Sequence, residues 1–141
     1  PKVAVVVDAR SFTRELIEGS GEFVLSIPTK AIADKVLAVG SQSGREMDKF
    51  AAYSVGTSPA TKVQAPLIDG CVAWLECRVV PEEHNQKRYD LFIAEVLAAW
   101  ADLDVFNNGR WTFGTDAERT IHYIAGGSFI ATGDGFEVEQ G

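Results

Sequence analysis

The chain has 141 residues, 46% of them hydrophobic, and a formal charge of −7. That length suits one domain with a core large enough to dispense with disulfides or a structural metal, and the acidity disfavours binding to nucleic acid without sequence preference. No apolar run approaches the eighteen or so residues of a membrane span and no basic leader precedes a small-residue cleavage site, so a cytoplasmic protein engaging neither membrane nor nucleic acid is expected.

The apolar run Val3 to Val7 reads as a strand that empties into the turn Asp8 to Thr13, then a short helix, then a return through Gly21 to a second strand ending near Ile27. The first strand starts at residue 1 with no turn or cap before it, so the unit spanning 1–141 is expected to be one N-terminally incomplete domain. Thr29 can cap a helix from Lys30 to about Val39, closed by Gly40. Ser43-Gly44-Arg45-Glu46 matches a capping box and predicts a second short helix ending near Ala51 or Ala52. Ser54 to Pro66 lacks a helical period and its two prolines exclude a central strand, which leaves a surface connection.

From Gly70 the pattern is β. Cys71, Ala73, Leu75, Cys77 and Val79 alternate on one face, with Val72, Trp74, Glu76, Arg78 and Val80 on a mixed one. The two cysteines are six strand residues apart, about 20 Å, too far for a disulfide, and are expected as buried reduced thiols. Pro81 to Arg88 reads as a polar loop, and Tyr89 to Trp100 as a second long strand in preference to a helix, forming a wide-looped hairpin. Asn107-Asn108-Gly109 signals a turn, and Thr120 to Ile124 and Ser128 to Ala131 are two short strands around Gly126-Gly127, with the last six or so residues frayed. The whole reads as mainly β within the α+β class, a closed or partly closed barrel with short helices inserted early.

Three segments could carry chemistry. At Arg10-Ser11-Phe12-Thr13, a helix N-terminus with unpaired amides sits beside hydroxyls and a guanidinium, a combination that can hold a phosphate. A Ser11 cap with Arg10 in water is the commoner meaning of such a turn. Gly40 to Phe50 gathers glycines, small polar side chains and the cations Arg45 and Lys49, and fits either a fold over a polar ring or phosphate, or a capped surface helix. His122 stands alone on a strand and belongs to no nucleophile or zinc constellation. With no nucleophile elbow, Walker, zincin or dinucleotide fingerprint in the sequence, the reactive group of any enzyme here would be borrowed.

Together, Arg10 to Thr13 with Ser20 to Pro28, then Ser43 to Phe50, then the paired stretches Ala65 to Cys77 and Leu91 to Val96 resemble the flavin reductase-like family, the FMN-binding split barrels that include flavoredoxins. The resemblance implies a split β-barrel homodimer binding FMN, ahead of FAD, near the subunit interface. It implies that Arg10, Ser11 and Thr13 hold the phosphate, that Ser43, Arg45 and Lys49 lie close to the flavin or its phosphate, and that His122 belongs to a C-terminal site feature. A cation near the pyrimidine edge would favour the anionic reduced ring. The implied activity is an oxidoreductase passing electrons, from NADH or NADPH, through flavin to an acceptor; the alternatives are a flavoredoxin-like carrier or binding module without turnover of its own, and an apo scaffold. Family members carry further strands before the one that opens here, and many have a histidine and a glycine where this chain has Tyr89 and Ala94.

Overall fold

The spine of the molecule is a hairpin of its two longest strands, β5 (Cys71–Val80) and β6 (Leu91–Ala101), in a computed structural model that describes residues 1–139. β1 (Lys2–Val6) pairs with β6, and β2 (Glu22–Pro28) with β5, to give an antiparallel sheet in the order β1-β6-β5-β2. The fold is mostly β: the sheet curls into half a barrel, accompanied by a few short helices. The barrel expected from the sequence is therefore an open one, whose edge strands β1 and β2 have no further partner among the described residues.

Alternation decides which side becomes core. Phe23, Leu25, Leu75, Cys77, Val79, Phe92, Ala94 and Val96 pack together with Val3, Val5 and Val7. Ile17 of helix α1 (Phe12–Ser20) is buried against them. At β6 the register slips between Glu76 and Cys77, which face Ala98 and Val96, so Leu97 is the extra residue of a bulge. Without that bulge, regular alternation would place Trp100 on the face of Val96. With it, Trp100 turns to the opposite face, beside Glu76.

Glu76 is fully buried on that second face. Its carboxylate accepts from Trp100 Nε1 at 2.7 Å, from Thr61 N at 3.0 and 3.1 Å, from Thr61 Oγ1 at 3.2 Å and from Lys62 N. Burial alone would push this carboxyl up, but the converging N–H donors outweigh it and hold Glu76 below its ordinary value of 4.5. The irregular stretch after residue 54 is thereby pinned to the sheet, with only β3 (Thr57–Ser58) and β4 (Leu67–Ile68) as regular pieces.

On the core side, buried Arg14 of α1 gathers four chain segments. It donates to Glu18 at 2.6 Å, Asp90 Oδ1 at 3.0 Å, Val7 O at 3.1 Å and Gln86 O at 2.8 Å, and its guanidinium lies 4.6 Å from the centre of the Phe92 ring.

Several expectations need correction. Pro81 to Arg88 is not a plain loop: it holds helix α4 (Glu83–Tyr89), polar on every side, supported by a Glu83–Lys87 pair one turn apart and ended by Asp90 at φ 54°. Ser43 opens no helix. Its hydroxyl accepts only from Arg45 N, while helix α3 (Lys49–Ala52) is capped by Asp48, whose Oδ1 accepts from Phe50 N and Ala51 N. The capping box of this chain is instead Thr115–Glu118, at a 3-10 turn. Thr29 precedes a 3-10 turn (Lys30–Ile32) and then α2 (Ala33–Gly40), and its hydroxyl donates to Gly70 O instead of capping.

The Asn-Asn-Gly signal is met. Asn108 and Gly109 at φ 49° and 73° close the hairpin of β7 (Phe106–Asn107) and β8 (Arg110–Trp111), as a tight hairpin turn requires. The expected final strands are β9 (Ile121–Ala125) and β10 (Ser128–Ala131), no regular element follows them, and residues 140 and 141 of the expected frayed end lie outside the described residues. Both cysteines are buried and free. Among the described residues no helix is long and apolar enough to cross a membrane.

Replacing Arg14 with Ala should lower stability in urea unfolding by about 2–3 kcal/mol, chiefly through two backbone carbonyls left without their donor. Glu76→Ala should cost about 3 kcal/mol, since two amides and an indole N–H lose a buried acceptor. Because the folded pKa of Glu76 is depressed, its stabilisation is present above pH 4.5 and is lost as the pH falls through the folded value. Unfolding midpoints at pH 6 and pH 3 should accordingly differ more for the wild type than for Glu76→Gln.

Candidate functional site

A cleft of about 960 Å³ opens between the first turn of α1, one face of α2, the segment 40–50 and the stretch from Ile68 to Cys71. Its position follows from the fold. Arg14 seats α1, which carries the turn Arg10 to Thr13 to one rim, while Gly40 ends α2 and sends the chain across the opposite rim. Phe12, Leu16, Ile32, Val36, Met47 and Phe50 give it largely apolar walls.

Six of the seven residues singled out in the sequence line this cleft: Arg10, Ser11, Thr13, Ser43, Arg45 and Lys49. His122 does not; it is exposed on β9, opposite Ile130. The six differ in what they have free. Ser11 caps α1, its Oγ accepting from Arg14 N at 3.1 Å and donating to Asp8 O at 2.8 Å. α1 itself offers no acceptor to the amides of Phe12 and Thr13, which leaves two donors at the positive end of the helix dipole.

Arg10 is almost fully exposed and grips Asp8, with Nη2 at 3.0 Å and Nε at 3.1 Å from its carboxylate. The guanidinium, and after it the Arg10 amide, hold Asp8 down at about 2. Arg45 is paired with Glu15. Both arginines are thus neutralised by a carboxylate. Lys49 instead donates to Val39 O, and Lys35 to Ser54 O at 2.6 Å, so neither is held in an ion pair, although the carboxylates of Asp48 and Asp69 line the same cleft.

Lys35 and Ser26 are the site residues that the sequence reading missed. Lys35 had a signal, since it is a cation on the same helical stripe as Ile32, Val36 and Val39, where apolar residues otherwise recur at spacings of three and four. Ser26 had none: its residue lines the cleft and its Oγ is buried without a hydrogen-bond partner. Such an orphaned hydroxyl is what a bound polar group would complete. Cys71, on the cleft wall, is pushed up to about 11 by burial and then by Asp69, so its thiol stays protonated at neutral pH and is no nucleophile. No cluster of metal-ligating side chains occurs among the described residues.

Residues 1–124 match the family described as the flavin reductase like domain. The chain belongs to that family. A relative from Escherichia coli K12, the uncharacterized protein YddH, is 42% identical over 134 residues, covering 94% of this chain and 71% of its own length. Among solved structures, an FMN-binding domain of a flavin reductases-like enzyme from Shewanella baltica superposes with a TM-score of 0.95 at 45% identity, over 99% of this chain and 74% of that one. Flavoredoxin of Desulfovibrio vulgaris superposes at 0.82 with 21% identity, over 97% of this chain and 73% of that one, a likeness of fold alone.

The cleft fits the cofactor of such a domain. Its volume is at the upper end of the range for small-molecule sites, its walls suit a flat apolar ring, and its polar groups include the two helix-terminal amides, two ammonium groups outside any ion pair, the Ser26 hydroxyl and the carboxylates of Asp48 and Asp69.

Substituting Arg10 with Gln should return Asp8 from about 2 towards 3.8, its ordinary value, in an NMR titration. A titration curve that does not move would show that the pair is absent in solution.

Proposed function

We propose that this chain is the FMN-binding part of a flavin reductase-like oxidoreductase. The observation that carries the reading is the convergence of Arg10, Ser11, Thr13, Ser43, Arg45 and Lys49 on one apolar-walled cleft, in a fold whose 45%-identical counterpart is described as FMN-binding. In this reading the amides of Phe12 and Thr13 and the Thr13 hydroxyl face the phosphate, where a helix N-terminus favours an anion. Lys35 and Lys49, neither held in an ion pair, supply positive charge, which also favours an electron-rich ring. Phe12, Met47 and Phe50 exclude water from the ring faces. FMN, when bound, supplies the electron-transfer chemistry, taking electrons from NADH or NADPH and delivering them to an acceptor. A cytoplasmic homodimer is the proposed working form, and His122, away from the cleft lining, is left out of the proposed contacts.

The test is a visible absorption spectrum of the purified protein with and without added FMN, followed by gel filtration and NADH and NADPH oxidation assays. Flavin bands that elute with a dimer, together with FMN-dependent nicotinamide oxidation, are expected. Lys49→Ala should weaken FMN binding by about 1.5–3 kcal/mol while affecting riboflavin less, because riboflavin lacks the phosphate. A protein that stays colourless in excess FMN would overturn the reading.

A further inference from the structure

Arg45 lines the cleft, yet its guanidinium is directed to α1. Nη1 donates to Arg10 O at 3.1 Å, Nη2 is paired with the Glu15 carboxylate, and the group lies 5.6 Å from the centre of the Phe12 ring. Next to it, Gly44 sits so close to the same ring that a Cβ at this position would be 2.9 Å from Phe12 Cδ1. Between α2 and α3 the chain has no regular structure of its own, only the turn in which the Ser43 oxygens accept from the amides of Arg45 and Glu46. The Lys49–Val39 O bond ties its two ends together, and the docking of Gly44 and Arg45 on α1 holds its middle over the cleft. Glu15 takes no part in lining the cleft.

We infer that Arg45 is a positioning residue and not a ligand contact: with Glu15 and Phe12 it forms a strap that holds segment 41–48 against the first turn of α1 and so sets the opening of the cleft. The inference rests on the cleft being the flavin site. Its distinguishing consequence is that Glu15, remote from the ligand, should act through Arg45 on any flavin, with or without a phosphate. A guanidinium that bound the phosphate itself would be freed, and not disabled, by loss of the Glu15 charge.

The experiment compares wild type, Glu15→Gln, Arg45→Ala and the double variant for FMN and riboflavin affinity by flavin fluorescence, and for hydrogen exchange of the flavin-free proteins. Glu15→Gln should weaken both ligands by about threefold, the scale of an exposed ion pair. Arg45→Ala should weaken both by about tenfold, and the double variant no further than Arg45→Ala. Amides of 41–48 should exchange faster in each variant, with β5 and β6 unchanged. Loss of FMN binding with riboflavin spared in Arg45→Ala, or wild-type exchange at 41–48 in Glu15→Gln, would overturn the inference. If the wild type binds neither flavin, the functional reading fails and the exchange measurement alone decides the strap.

Discussion

The placement of α1 by a single buried guanidinium is the constraint on which the rest of this molecule depends. Arg14 donates to two backbone carbonyls and two carboxylates drawn from the end of the first strand, its own helix, the middle of α4 and the α4–β6 junction, while its flat face covers Phe92. Only arginine offers that many donors in one rigid plane. The helix it fixes presents Phe12 and Thr13 to the cleft from one end and buries Ile17 from its middle, so one residue couples the core to the ligand rim. Glu76 plays the corresponding part on the opposite face, as a carboxylate that closes a loop by accepting its amides.

The electrostatics of the cleft are set by other pairings, at its rim. The protein is acidic overall, and its carboxylates neutralise the arginines at the rim: Asp8 holds Arg10 and Glu15 holds Arg45. The lysines escape because their ammonium groups rest on carbonyl oxygens, which stabilise charge without cancelling it. Positive charge outside an ion pair is therefore contributed by Lys35, Lys49 and the N-terminal end of α1, beside the Asp48 and Asp69 carboxylates that also line the cleft.

Much of the fold was legible because alternation and turn chemistry are local. The β5 face, the preference for a strand over a helix at 89–100, met by β6 from Leu91 on while Tyr89 ends α4, the Asn-Gly turn and the final hairpin all follow from neighbours within a few positions. What was illegible depends on distant partners. Glu76 looked like one more residue of a mixed face, because Thr61 and the bulge that turns Trp100 towards it cannot be seen from β5 alone. α4 has no apolar period to betray it, since it is stabilised by the Glu83–Lys87 pair and by the Asp90 terminus. The Ser43 pattern imitated a cap that Asp48 in fact provides. In the site, position was legible and role was not: six residues converge as the motifs suggest, but whether a cation is available depends on the carboxylate it meets, and Glu15 lies thirty positions before Arg45.

The two edges of the sheet that lack a partner among the described residues differ in how readily each would accept an added strand. A strand with one unpaired edge is a template for another chain, and natural edges are blunted by charge or proline. β2 is protected in this way by Glu22 at its start and Pro28 at its end. β1 reads Lys2-Val3-Ala4-Val5-Val6, with one charge at its outer end, no proline among them and Val6 largely exposed. Short, β-prone and nearly uncharged, it has the composition from which intermolecular sheets grow. Of the two edges without a partner among the described residues, β1 is therefore the one whose composition resists an added strand least.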